Sequence, residues 1–294
     1  MILGTVLNGI LDPIMIFGWL GCPALGILGA SLATVIAQTV VTVLLLRLLT
    51  VRHRLLRLRR PKISLFASSC RRITGFAVPG SISMMLMPFS AAVIIALVSR
   101  WGNNAVAAVS AAARVETFSF VIPMALGMSL VPFVSQNFGA GRIDRIRQAK
   151  AYAAGFALVY GLGVAAVMFL AAPLLAAVFT RDPEVSAIFA LYVRIVSFGY
   201  GLMEIHRYSG FILTGMHRPV FATVLNLIRA GVLLVPLASL GSRCFGLTGI
   251  FAGRLLTDIA AGSIGLCWVN RLLRREFRPS GAPPPAPPVP IIAD

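Results

Sequence analysis

The sequence predicts an all-α polytopic membrane protein with about eight transmembrane helices. Three observations lead there. The 294 residues are 58% hydrophobic, with a mean hydropathy of +0.91, and only 12% are charged, against about 25% in soluble domains. Eight apolar runs, 1–19, 25–48, 75–99, 104–136, 148–179, 185–214, 218–240 and 246–272, approach or exceed the roughly 20 residues that a helix needs to cross a bilayer. Finally, basic residues crowd into every second connection between those runs.

The first run carries Asn8 and Asp12 one helical turn apart. It has no basic n-region and is interrupted by these polar residues, so it is not a signal peptide. A Gly/Pro turn near Cys22 leads to the second run, with Gly26, Gly29, Ala30 and Ala33 on a small-residue face and Thr34 beside them. These two helices form a first unit, 1–50, and a basic linker, 51–72, follows. The remaining six runs make a second unit, 73–275. Pro79, Pro88, Pro123, Pro132, Pro173 and Pro236 fall inside them; membrane helices tolerate proline where neighbours satisfy the freed carbonyl, and it often bends them. The end, 276–294, is proline-rich and expected to be disordered.

The net charge of +17 follows the connections. Segments 47–72, 138–150, the flank of 215–217 and 271–278 hold 18 of the 26 Lys/Arg, whereas the alternate connections hold only Arg100, Arg181 and Arg243. The positive-inside rule puts the rich set, and both termini, in the cytoplasm. The charge is thus topological and fits contact with anionic lipid headgroups rather than nucleic acid. Cys22, Cys70, Cys244 and Cys267 show neither a CxxC pair nor a metal spacing. No nucleophile triad, phosphate loop or metal cluster stands out, so neither an enzyme nor a bound cofactor is expected.

An internal repeat is also visible. Leu7-Asn8-Gly9-Ile10 resembles Leu225-Asn226-Leu227-Ile228, and Gly26-Ile27-Leu28-Gly29 resembles Gly246-Leu247-Thr248-Gly249, at offsets of 218 and 220 residues. Runs seven and eight would close a six-helix unit, and runs one and two would close an earlier unit whose first four helices are absent.

Four acids lie within the predicted spans: Asp12, Glu116, Glu204 and Asp258. A charge in hydrocarbon is costly and often marks an ion or substrate path. Glu204 has Arg207 at i+3 and Asp258 has Arg254 at i−4, which places both for local neutralisation. Asp12 and Glu116 have no such helix-local partner. Asn8, Asp12 and Thr34 offer an amide, a carboxylate and a hydroxyl at similar depth on antiparallel neighbours. They read either as a site for H+ or Na+ or as an interhelical polar clasp. Ser83 to Phe89 places Met84 and Met87 beside Pro88; flexible methionine suits varied apolar ligands, although it also packs ordinary cores.

These motifs resemble the multidrug and toxic compound extrusion (MATE) transporters. Asn8-x-x-x-Asp12-Pro13 and Gly26-x-x-Gly29-Ala30-x-x-Ala33-Thr34 look like that family's fifth and sixth helices. Pro79-Gly80-Ser81, Arg114-x-Glu116, Gln136-Asn137-x-Gly139-Ala140-Gly141-Arg142, Leu213-Thr214-Gly215 and Arg218-Pro219 look like its C-terminal lobe. The resemblance implies the last two helices of an N-lobe followed by a complete six-helix C-lobe. It also implies antiport of H+ or Na+ against organic cations in a bacterial inner membrane. Asn8, Asp12 and Thr34 would supply three ligands of the N-lobe cation site, whose remaining Asp belongs to a first helix upstream. Glu204 matches a C-lobe acid, whereas Met87 falls near the place of another. Glu116, Glu204, Met84 and Met87 are expected to line the cavity for a cationic or amphipathic substrate. Two alternatives are a lipid-linked oligosaccharide flippase, given Arg114, Arg194, Arg207, Arg229 and Arg254 within spans, and an inactive fragment.

Overall fold

The computed structural model describes residues 2–52 and 63–276. Its elements are α1 (Ile2–Phe17), α2 (Ile27–Arg47), α3 (Ile63–Val98), α4 (Asn103–Ser119), α5 (Val121–Gly139), α6 (Ile143–Phe179), α7 (Pro183–Val196), α8 (Tyr200–Gly215), α9 (Pro219–Leu227) and α10 (Val235–Glu276). No strand occurs among the described residues. Six helical stretches are long and apolar enough to cross a membrane, and α1 is a shorter apolar helix. One of the six, Pro219–Arg275, reverses at Gly246 (φ 64°, ψ −137°), so it holds two spans, 219–245 and 247–275. The chain divides into two compact units, 1–69 and 70–294.

In the first unit α1 and α2 pack antiparallel. Gly4 approaches Val41, Asn8 meets Thr34 and Met15 meets Gly29, so the paired numbers rise on one helix as they fall on the other. The buried stripe on α2 is Gly29, Ala33 and Ala37, every fourth residue and all small. Lipid supplies no hydrophobic drive for helix pairing, and small residues let backbones approach for dispersion contact. A Cβ on Gly29 would lie 2.2 Å from the Met15 carbonyl oxygen.

The second unit is organised around α8. Three apolar clusters follow one another along it. Tyr200 joins α4, α7 and Phe251 of α10. Ile205 and Tyr208 pack with Leu130, Ala153 and Ala157. Ile212, Leu213 and Met216 pack with Ile146, Leu225 and Val269.

Several boundaries differ from expectation. Run 104–136 breaks at Phe120 into α4 and α5. The cause is Pro123, which cannot donate to the carbonyl four residues back. That carbonyl, on Ser119, instead accepts the Tyr160 hydroxyl at 3.0 Å. Run 185–214 likewise passes through a 3-10 turn, Ser197–Gly199. Within the expected linker, residues 63–72 already belong to α3. Residues 53–62 lie outside the described residues, as does the expected disordered end from 277 onward.

The helix ends of this unit sort into two levels. His217 meets Phe76 and Phe138, Phe221 meets Trp268, and Lys150 bonds Asn270 at the end carrying the basic connections. At the other, Asn104 bonds Glu184 at 2.6 Å, and Trp101 packs on Gly246.

Candidate functional site

Asn8 Nδ2 donates to Thr34 Oγ1 at 3.1 Å, and Thr34 Oγ1 donates on to the Ala30 carbonyl at 3.0 Å. Asp12 lies one turn from Asn8, and its Oδ1 is buried with no hydrogen-bond partner. The structure therefore joins Asn8 and Thr34 directly and leaves a carboxylate oxygen unsatisfied on the same helix. Buried polar atoms are nearly always paired, and an exception points to strain, function or a missing ion or water. The possible ligand atoms, Asn8 Oδ1, the Asp12 carboxylate and Thr34 Oγ1, are all oxygens, which suits a hard cation.

The second unit holds a larger buried polar core. Glu116 on α4 is 8% exposed. It accepts from Tyr192 of α7 at 3.2 Å, Tyr200 of α8 at 3.0 Å and Arg254 of α10 at 3.1 Å. Arg254 also donates to the Tyr192 hydroxyl. Asp258, fully buried, takes two bonds from Arg229, at 3.1 and 2.7 Å. His206 Nε2 bonds Asn226 Oδ1 at 2.9 Å, while its Nδ1 is buried and unpartnered.

The expected local pairing of Asp258 with Arg254 is corrected by this geometry. Arg254 crosses to Glu116, and Asp258 turns to Arg229, which reaches it with two nitrogens, so that each buried acid has its own guanidinium. The pairing of Glu204 with Arg207 stands, at 3.1 Å, but neither Glu204 oxygen accepts an aligned hydrogen bond. Arg207 lies over the Phe120 ring at 5.1 Å. Met84 and Met87 are 78% and 64% exposed on α3, while Ser83, on the Pro79 side of them, turns to Thr223 at 3.0 Å.

Tyr192 and Tyr200 are not among the expected residues, and Arg229 and Arg254 are expected only as arginines within spans, yet Tyr192, Tyr200 and Arg254 hold Glu116 and Arg229 holds Asp258. For Arg254 a signal lies in the repeat. Gly26 (φ 56°, ψ −126°) and Gly246 (φ 64°, ψ −137°) share one left-handed conformation at an offset of 220 residues. At that same offset Thr34 corresponds to Arg254, and at 218 Asn8 and Asp12 correspond to Asn226 and Ala230. Where the first hairpin carries the Asp12 carboxylate the second has Ala230, and where the first carries the Thr34 hydroxyl the second has the Arg254 guanidinium.

Comparison with known proteins identifies the family. The chain is 34% identical over 263 residues to the FAD transporter of Shewanella oneidensis, covering 89% of this chain and 58% of that protein. It is 33% identical over 160 residues to the probable multidrug resistance protein YoeA of Bacillus subtilis, covering 50% of this chain and 33% of that protein. The crystal structure of the Vibrio cholerae MATE transporter VcmN in the bent form has a TM-score of 0.84 at 31% identity, covering 94% of this chain and 61% of that one. The chain thus spans less than two thirds of the length of these relatives. The MatE profile matches residues 79–240, more than half of the sequence, and the chain belongs to that family, whose members are membrane transporters rather than enzymes.

Proposed function

We propose that the chain takes part in secondary active export, in which a small cationic or amphipathic organic substrate leaves the cell as H+ or Na+ enters. The single observation that carries this is Asp12: a carboxylate oxygen buried without a partner, one turn from an Asn8–Thr34 bond. Such a group can exchange a proton or hold a cation as access alternates. Glu204, whose oxygens accept no aligned bond, with Met84 and Met87, would meet the substrate. Glu116 would reach it by exchanging its Arg254 partner. Asp12→Asn keeps the shape and removes the charge. Expressed in efflux-deficient bacteria, that variant should insert normally, yet its coupled export should fall to the level of cells without the transporter. Export at the wild-type rate would overturn the role of Asp12, and a wild-type chain with no export would favour an inactive fragment.

A second reading has a specific observation behind it: the relative at 34% identity is named an FAD transporter. Export of a flavin nucleotide would appear as extracellular flavin, which separates it from drug resistance in the same strain. A lipid-linked oligosaccharide flippase is less favoured, because Arg207, Arg229 and Arg254 are paired with acids rather than presented to an anion.

The proposed setting is a bacterial inner membrane with both termini cytoplasmic, from the basic connections. Cys22 and Cys244 are exposed near the opposite turns. A membrane-impermeant maleimide added to intact spheroplasts should label single-cysteine variants retaining either one. Labelling only after lysis would invert the orientation.

A further inference from the structure

The last arm of α10 carries a cavity of about 550 Å³ outside the polar core described above. Ser263, Ile264 and Cys267 line one end, Trp268 the middle, and Arg271 and Arg275 the other. From 263 to 275 is 12 residues, or roughly 18 Å at 1.5 Å per residue. The groove therefore runs from an uncharged end at membrane depth to a cationic end at the helix terminus. Trp268 packs on Phe221 at 5.8 Å, and Arg218 lies over the same Phe221 ring at 5.8 Å. Arg271, Arg274 and Arg275 are exposed. Lys150 is tied to Asn270 at the same level, and Asp144 lies in the first turn of α6.

We propose that this groove binds one anionic glycerophospholipid, with its phosphodiester at Arg271 and Arg275 and an acyl chain along Cys267, Ile264 and Ser263. Three features select this occupant. Paired guanidinium groups favour a phosphate oxygen pair over a zwitterionic headgroup's balanced charge. An indole at the junction of charged and apolar ends suits the headgroup level. A free phosphate would use only the cationic end and leave the apolar length unfilled, whereas basic clusters immediately cytoplasmic of a membrane helix are suited to anionic lipid headgroups. The site is independent of the transported substrate, so it stands or falls separately from the export reading.

The test uses the 294-residue chain purified in mild detergent and exchanged with either phosphatidylglycerol or phosphatidylcholine, then examined by native mass spectrometry. One phosphatidylglycerol per chain should survive activation that strips phosphatidylcholine. The double change Arg271→Gln/Arg275→Gln should lower its retention about tenfold, equivalent to about 1.4 kcal/mol. Ser263→Trp, which fills the far end and leaves both arginines, should lower it too. Both variants should melt within a degree or two of wild type in phosphatidylcholine, showing that they fold. Maleimide modification of Cys267 should slow in phosphatidylglycerol and not in phosphatidylcholine. Equal retention of the two lipids overturns the proposal. So do unchanged retention in both variants, release of the lipid by millimolar inorganic phosphate, and protection of Cys267 by a second copy of the chain in a dimer.

Discussion

Arg254→Ala is expected to destabilise the second unit by about 3–5 kcal/mol, the usual cost of breaking a buried ion pair by removing one partner. Arg254 is the only cation among the described partners of Glu116, which otherwise has two phenol donors from Tyr192 and Tyr200. Without the guanidinium the carboxylate, 8% exposed in the intact protein, is left with no compensating cation among its described partners. Tyr192 also loses a donor. The same logic predicts rescue. Arg254→Met combined with Glu116→Gln removes both charges and leaves an amide for the two phenols, so the double variant should recover most of the loss. The coupling between the two sites, read from a double-mutant cycle of Arg254→Met and Glu116→Gln on thermal melting in detergent, should reach about 3 kcal/mol or more, the top of the range for contacting pairs. Single changes that simply add in the double variant would show that the pair is not coupled. Retained melting temperature in Arg254→Ala would show that the acid is satisfied without it.

That expectation rests on a contact that sequence reasoning could not select. The periodic features of the chain are legible: apolar runs, alternating basic connections, the small-residue face of α2 and the two hairpins. Each of these is written within about one turn or one span. Glu116 and Arg254 lie 138 residues apart, and Arg229 and Asp258 lie 29 apart across a turn. On its own helix Asp258 has Arg254 at i−4, so a local rule offers a partner. Helix packing then offers a better one, because Arg229 reaches a fully buried carboxylate with two nitrogens. Pro123 shows a mixed case. The proline marks the bend in the sequence; that Tyr160 would cap the freed Ser119 carbonyl depends on α6 lying alongside. The first candidate site is more legible, because Asn8, Asp12 and Thr34 all belong to one hairpin whose turn fixes their relative depth.

Gly249→Leu and Gly29→Leu should have the largest structural effects of any single changes in the two hairpins, and for one reason. A Cβ on Gly249 would lie 1.9 Å from the Gly241 carbonyl oxygen, and one on Gly29 would lie 2.2 Å from that of Met15. Both obstacles are backbone, so no rotamer relieves them and the two helices of each hairpin must separate. Ordinary overpacking costs about 1–3 kcal/mol, and parting a helix pair also forfeits the dispersion attraction along its whole length. The consequences should differ by unit. Gly29→Leu parts α1 from α2 and so breaks the Asn8–Thr34 bond, which is 3.1 Å only because the backbones touch. It should eliminate coupled export even in protein that still inserts and melts normally elsewhere. Gly249→Leu moves the arm that carries Arg254 and Asp258, and should abolish the cooperative melting of the second unit. Gly210→Ala, with nothing within 4 Å of the added carbon, is the control and should behave as wild type. Matching losses from Gly29→Leu and Gly249→Leu in melting, rather than a split between export and stability, would mean that the first hairpin is a packing element and not the seat of coupling.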